Sequence, residues 1–292
     1  MKPNRGRIVA LLTAVALVAT SAACSWGDDD SDEGADGFGD PGDCVVVDVV
    51  VSPEKTTLMT ELAQEFNGSD AADMSDGECA FARPATKSSG LAADLLATGW
   101  DEDAEGVRPT VWSPAASTWG AVVNQRLTAD GQDPIVGDAD PFMQTPLVIA
   151  MPEPMAEALG HPEEPIGWSD ILALSQDPQG WAAHGHPEWG EFRLGKTNPN
   201  FSTSGLSALI AQAYASTGRT DGLSLEDLAV PTVDEQARAI ESAVVHYGDT
   251  TLTFLNNWYN ADRRGTSLNY VSAVAVEEKS VIDYNRGNPD GN

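Results

Sequence analysis

The sequence predicts an α/β fold made of two bodies. Three observations predict it: β-branched runs alternate with capped helical patterns, the strand ends carry hydroxyl residues, and the alternation restarts beyond a proline-bearing apolar segment at residues 142–151. The first unit is the clearest. Residues 44–51 read CVVVDVVV, a β-branched strand. Ser52-Pro53-Glu54 then offers an N-cap, a proline at the first helical position and an early acid, after which Leu58, Leu62 and Phe66 recur on one helical face. Residues 79–84, CAFARP, form a shorter apolar strand, so the unit reads β-α-β. A right-handed crossover makes the two strands parallel neighbours and sets Cys44 and Cys79 at one sheet edge. That placement predicts a disulfide closing a loop of about 36 residues.

The remaining elements follow in order. Ser88-Ser89-Gly90 opens a helix with Leu91, Leu95 and Leu96; residues 108–113 form a third strand; Ser117-Thr118-Trp119 starts a helix reaching Leu127. In open α/β sheets, ligands bind beyond the carboxyl ends of strands, where the next helix presents unpaired N–H groups. Ser52, Ser88, Ser89 and Ser113 are expected to gather there. Residues 142–151, with Pro146, suit an edge or crossing strand. A proline-rich stretch with Trp168, Trp181 and Trp189 follows. The second alternation then runs as a strand over residues 191–197, a polar loop at 198–205 and a helix at 206–216. Helices over 233–247 and 250–262, a strand at 270–276 and a helix at 277–284 returning to the first body complete the reading. No internal repeat occurs at a fixed period.

The amino end sets the compartment. Lys2, Arg5 and Arg7 precede an apolar run at residues 8–18 that is too short to span a bilayer, and Ser21-Ala22-Ala23 leads to Cys24. Residues 1–23 read as a bacterial export signal. The cysteine after small residues resembles a lipobox, with Ser21 where Leu or Val is usual, and implies an acylated Cys24 as the mature N-terminus. Simple secretion with a free Cys24 is the alternative. Residues 24–43 are acidic and apolar-poor, an extended tether. The formal charge is −29, from 45 acidic against 16 basic residues, and the loss of the leader makes it three units more negative. A phosphate backbone is repelled by such a field, which excludes nucleic acid as a partner.

The order of residues 45–52, Lys87-Ser88-Ser89-Gly90, Val111-Trp112-Ser113-Pro114, Thr145-Pro146-Leu147-Val148, Gly195-Lys196-Thr197-Asn198-Pro199 with Ser204-Gly205, and residues 272–277 resembles the type 2 periplasmic-binding-protein family. More narrowly, it resembles the actinobacterial extracellular solute-binding lipoproteins that often carry a von Willebrand factor A domain; the Asp-x-Ser-x-Ser motif of that domain is absent here. The resemblance implies a two-lobed clamp with a ligand cleft. Lobe one is residues 44–141 plus 275–292 and lobe two is 142–274, with the last elements of lobe one missing from this sequence. It implies ligand groups at Ser52, Ser88, Ser89 and Ser113 in lobe one and at Asn198, Ser202, Thr203 and Ser204 in lobe two, with Tyr270 and Glu277 at the second crossing. Trp112, Trp119 and Trp258 are candidates for an apolar wall. The implied partners are a small polar solute, an oxyanion among the choices, an ABC permease, and the membrane through Cys24; the protein is expected to be a monomer without a cofactor. Glu277 or Glu278 facing the cleft would favour an amine or a cation, whereas a cleft of hydroxyls and N–H groups alone would favour an oxyanion or a sugar-like ligand.

Two other classes stand beside this one. Ser52-Pro53-Glu54-Lys55 matches the Ser-x-x-Lys nucleophile motif of penicillin-recognising hydrolases, but Lys196-Thr197 is followed by Asn198 in place of Gly and no Ser-Asp-Asn occurs. Ser52 as an N-cap explains the match more simply, and the protein is expected not to be an enzyme. His184-Gly185-His186 invites zinc but lacks cysteine company. The third class is a surface interaction protein with a vestigial cleft. The anchor has a direct check: Cys24→Ser should move the protein from the membrane to the soluble fraction, and unchanged retention would refute acylation at this residue.

Overall fold

Val45–Val51 (β1) lies at the centre of a three-stranded parallel sheet, between Ala80–Thr86 (β2) and Val111–Ser113 (β3). The computed structural model describes residues 38–288. The export signal, Cys24 and most of the acidic tether lie outside the described residues. Val49, Val50 and Val51 are buried, as a central strand flanked on both sides requires. The register pairs Val45 with Ala80, which sets the residues before them side by side, and Cys44 and Cys79 are joined as a disulfide.

Four helices serve this sheet: Thr56–Asn67 (α1), Ser89–Thr98 (α2), Glu102–Glu105 (α3) and Thr118–Ala129 (α4). The lobe's core forms where α2 meets α4, from Ala93, Ala97, Trp119, Val123 and Leu127. The helix α1 differs from expectation. Leu58 and Leu62 are 41% and 45% exposed, and the buried residue of the helix is Ala63. The reason is a polar anchor at the edge strand: the Asn67 carboxamide donates to the Ala82 carbonyl at 2.9 Å and accepts from its N–H at 2.8 Å. This side chain satisfies backbone groups of β2 that a further strand would otherwise take up.

The second sheet has the order β4-β7-β5-β6, with Leu147–Ala150 (β4) antiparallel to Ala273–Glu277 (β7), and Leu194–Thr197 (β5) parallel to both β7 and Val244–Gly248 (β6). Its helices are Glu153–Ala158 (α5), Trp168–Gln176 (α6), Thr203–Thr217 (α7), Leu225–Leu228 (α8), Pro231–Ser242 (α9), Thr251–Asp262 (α10), Ser267–Tyr270 (α11) and Glu278–Gly287 (α12). The strand β7 serves two cores. Ala273 joins Met155, Ile171, Trp181 and Phe192, while Val274 and Val276 join Phe254, Leu255 and Trp258. This is the period-two alternation of a strand covered on both faces.

Two expectations are corrected here. The helix over residues 233–247 ends at Ser242, and residues 244–248 form the strand β6. The apolar face of α9 runs from Val233 to Ile240, whereas residues 244–247 alternate between half-buried and exposed, as an edge strand does. The segment after residue 275 stays with the second sheet: β7 pairs with β4 and β5, and Tyr284 of α12 packs against Trp258 and Tyr259. Its link to the first lobe is a side chain, Lys279 Nζ donating to the Glu54 carbonyl at 3.4 Å. Among the described residues no helix is long and apolar enough to cross a membrane.

The bridge between Cys44 and Cys79 spans 35 residues of sequence. Replacing both cysteines by alanine should lower stability by roughly 3 to 4 kcal/mol in urea unfolding, because the open loop restores freedom to the unfolded chain. A loss well under 1 kcal/mol would contradict that account.

Candidate functional site

The strand-to-helix turns of the two lobes face each other. Pro53 and Glu54 follow β1, Ser88 and Ser89 begin α2, Ser202 and Thr203 begin α7, Thr250, Thr251 and Leu252 begin α10, and Glu277 ends β7; with Phe201 these residues line one cleft. Parallel pairing explains the convergence, since it directs β1, β2 and β3 one way within their sheet and β5, β6 and β7 one way within theirs. Each following helix therefore presents its amino end at the same edge. The first-turn N–H groups of α2, α7 and α10 lack intrahelical partners and carry the positive end of the helix dipole.

The approach is close because glycine permits it. A Cβ on Gly90 would stand 2.0 Å from the Asn200 carbonyl oxygen of the opposite lobe, and within lobe two one on Gly205 would stand 2.4 Å from that of Thr197. The Gly90 N–H donates across the cleft to the Phe201 carbonyl at 3.1 Å, and Trp119 Nε1 donates to Thr203 Oγ1 at 2.8 Å. The lobes thus stand closed. The space left between them is about 10 Å3, near the size that holds one water.

The candidate residues sort into three groups. Ser88, Ser89, Ser202, Thr203 and Glu277 line the cleft. Ser88 makes no capping bond with its side chain, Ser89 Oγ accepts from the Ala115 N–H at 3.0 Å, and Ser202 Oγ lies 3.1 Å from Ser204 Oγ. A second group supports the lining from behind. Ser204 is fully buried, with its Oγ 3.1 Å from Thr197 Oγ1 and 2.6 Å from Thr251 Oγ1. Asn198 shapes its loop by accepting from the Asn200 N–H at 3.0 Å. Ser52, 1% exposed, donates to Glu54 Oε1 at 2.6 Å.

The third group is not brought to the cleft. Ser113 Oγ accepts from Lys55 Nζ at 2.7 Å, and Tyr270 stacks on His246 with ring centres 4.1 Å apart, beside Phe254. Trp258 is a core residue and Trp112 packs against the lobe-one core; Trp119, itself in that core, reaches the cleft through its indole N–H to Thr203. Lys55 turns to Ser113 and the Pro114 carbonyl, so the lysine and serine of the Ser-x-x-Lys motif do not pair with each other. His186 stacks on Trp189 and lies 3.0 Å from Glu188, and among the described residues no group of three metal-ligating side chains forms.

Sequence reasoning missed Glu54, Phe201, Thr250, Thr251 and Leu252. Thr250 caps α10 by accepting from the Thr253 N–H at 3.2 Å. The signal was present, because it is the same strand-then-hydroxyl turn as the others, but reading residues 244–247 as helix hid the strand before it.

Charge in the cleft is muted. Burial pushes the Glu277 carboxyl above the usual carboxylate range, the nearby charge of Glu54 adds to the rise, and hydrogen bonds from backbone and from Thr251 oppose it. Burial also draws the Lys55 ammonium below its usual value, against the pull of Glu54. The cations near the cleft are engaged elsewhere. Lys55 is held by Ser113, Lys196 by Glu241 at 2.5 Å, and Lys279 pairs with Asp283.

The chain is similar in structure to the sulfate-binding protein SubI from Mycobacterium tuberculosis H37Rv, at 13% identity and a TM-score of 0.49, over 83% of this chain and 68% of that one. It is also similar to the periplasmic molybdate-binding protein of Azotobacter vinelandii, at 14% identity and a TM-score of 0.37, over 80% of this chain and 72% of that one. A search of curated proteins finds no match. The model of the bacterial extracellular solute-binding protein family matches residues 47–282, a span that takes in both sheets except the first two residues of β1, and every residue lining the cleft. The chain belongs to that family.

Proposed function

We propose that the protein captures a small oxyanion between its two lobes, outside the cell and leashed to the membrane by an acylated Cys24, and delivers it to an ABC-type permease or a sensor. The observation that supports this reading is the set of three helix amino ends, of α2, α7 and α10, facing one cleft that no cationic side chain lines. Such a site holds an anion through N–H and hydroxyl donors without a countercharge.

Glu54 and Glu277 at the cleft would favour an amine if both were charged and open to the ligand. Both are drawn away from that role. Glu54 already accepts the Ser52 hydroxyl at 2.6 Å, and burial favours the neutral form of Glu277. Donors therefore dominate what the cleft offers. The overall negative charge slows an anion's approach at long range but acts weakly beyond a Debye length, whereas the dipoles act at contact.

A solute larger than one water must part the lobes to enter, so the bonds from Gly90 and Trp119 across the cleft become the means of closure around it. This is the hinge motion by which two-lobed binders bury a ligand.

Thermal unfolding across a panel of tetrahedral oxyanions, alkylamines and sugars tests the ligand class. Sulfate, phosphate or molybdate should raise the melting temperature, with about 2.7 kcal/mol of stabilisation at a hundredfold excess over Kd. A response to amines or sugars alone would reverse the assignment. Ser88→Ala, which removes a hydroxyl without a capping role, should weaken oxyanion binding roughly tenfold and leave the unliganded melting temperature nearly unchanged.

Gly90→Ala tests closure. Its methyl group cannot fit against Asn200, so small-angle scattering should show a larger radius of gyration and binding should weaken at least tenfold, about 1.4 kcal/mol. Unaltered scattering and affinity together would argue that the lobes do not clamp at this contact.

A further inference from the structure

Behind the cleft a line of hydroxyls runs from Ser202 through Ser204 and Thr251 to Glu277, and its protons can be counted. Thr251 Oγ1 donates to Glu277 Oε2 at 3.0 Å. A hydroxyl has one proton, so the 2.6 Å bond between Thr251 and Ser204 is donated by Ser204. The proton of Ser204 is thereby spent. The 3.1 Å contacts that Ser204 makes with Ser202 and Thr197 must then be donated by those two residues. Ser202 lines the cleft, yet in this arrangement its proton points inward and only lone pairs face a ligand.

A proton on Glu277 reverses the line. The carboxylic O–H donates to Thr251 and Thr251 donates to Ser204, whose freed proton has two acceptors at 3.1 Å, Thr197 and Ser202, of which the relay uses Ser202. The proton of Ser202 is then released to point into the cleft. The same event removes the negative charge of Glu277 from the lining. No covalent bond to the ligand forms or breaks; the proton comes from solvent and rests on the carboxylate.

We propose that Glu277, acting through Thr251, Ser204 and Ser202, sets the polarity of the cleft, so that an oxyanion is bound together with one proton. This rests on the oxyanion reading above and adds a specificity-determining residue to it.

The surroundings suit the role. Glu54 faces Glu277 from the first lobe and its charge favours the protonated form, as does burial. On the neighbouring strand β5, Lys196 is paired with Glu241. On the helix that follows, Glu278 is exposed, and Lys279 pairs with Asp283 while reaching the Glu54 carbonyl. On α10 the facing group is the neutral Thr251, and β4 carries no ionisable side chain. Ser204, at the centre of the line, is fully buried and does not line the cleft, which keeps water from supplying an alternative partner there.

Calorimetric titration with sulfate, whose charge is constant between about pH 5 and pH 8, tests the proposal. In the full-length protein the affinity should fall as pH rises, by up to about tenfold per unit above the titration point of Glu277. Titrations in two buffers of different ionisation heat should show uptake of close to one proton per sulfate. Glu277→Gln, whose amide N–H can donate to Thr251, should bind with the low-pH affinity at every pH and take up no proton.

Ser202→Ala cuts the last link and should shrink the gain on acidification several-fold, which serves as the test if the glutamine variant fails to fold. Wild-type binding of sulfate with no proton uptake, or an undiminished gain in Ser202→Ala, overturns the relay and leaves the oxyanion reading intact. A folded wild-type protein that binds none of sulfate, phosphate or molybdate at either end of the pH range overturns both.

Discussion

Parallel pairing of strands fixes where the helices start, and the cleft depends on that constraint. In both sheets the strands that precede the lining turns run in one direction, so α2, α7 and α10 all begin at the sheet edge that faces the opposite lobe. The helix ends carry donors whose partners are not intrahelical. Two such edges brought together concentrate N–H and hydroxyl groups from both lobes at one cleft. What brings them together is the absence of a side chain at Gly90, which lets α2 approach the backbone at Asn200 and Phe201.

Buried polar groups must be satisfied, and this demand decides which hydroxyls stay open to the cleft and which support it. Ser204, at the centre of its cluster, contacts Thr197, Ser202 and Thr251 and has nothing left for a ligand. Ser52 is spent on Glu54 and Ser113 on Lys55. Ser88 is the opposite case. It sits at the cap position of α2 without a capping bond, so a donor is held at the lining with no internal claim upon it. Burial alone would rank Ser204 and Ser52 as the strongest candidates; their hydrogen-bond partners reverse that order.

Much of this was legible in the sequence. The β-α-β unit with its disulfide and the hydroxyl-bearing turn at Ser88-Ser89 follow from period, capping chemistry and strand order, whereas Ser202, Thr203 and Glu277 are candidates through the family resemblance alone. The failures have physical causes. Residues 244–247 extend a helical stretch without a glycine or proline to punctuate it, so the strand there shows only once β5 offers its edge. That single misreading removed Thr250 and Thr251 from view. The exposed Leu58 and Leu62 mislead in another way: a 3.6-residue period marks a face, but the Asn67 anchor fixes how that face is turned. Tyr270 lies next to the crossing in sequence, yet the stack with His246 draws its ring into lobe two.

The lysines are informative because of where they are held. Lys55, Lys196 and Lys279 all follow or border the strand ends that build the cleft, and any of them aimed inward would bind an anion strongly through charge alone. Charge attraction is long-ranged and persists when the lobes part. Hydrogen bonds from helix ends and hydroxyls act only at contact geometry, and that geometry exists only with Gly90 seated against the 198–202 loop. A cleft that binds through dipoles therefore loses its hold as soon as it opens, whereas one that binds through lysines would not. Keeping the cations out of the lining would therefore couple release of a bound solute to lobe separation.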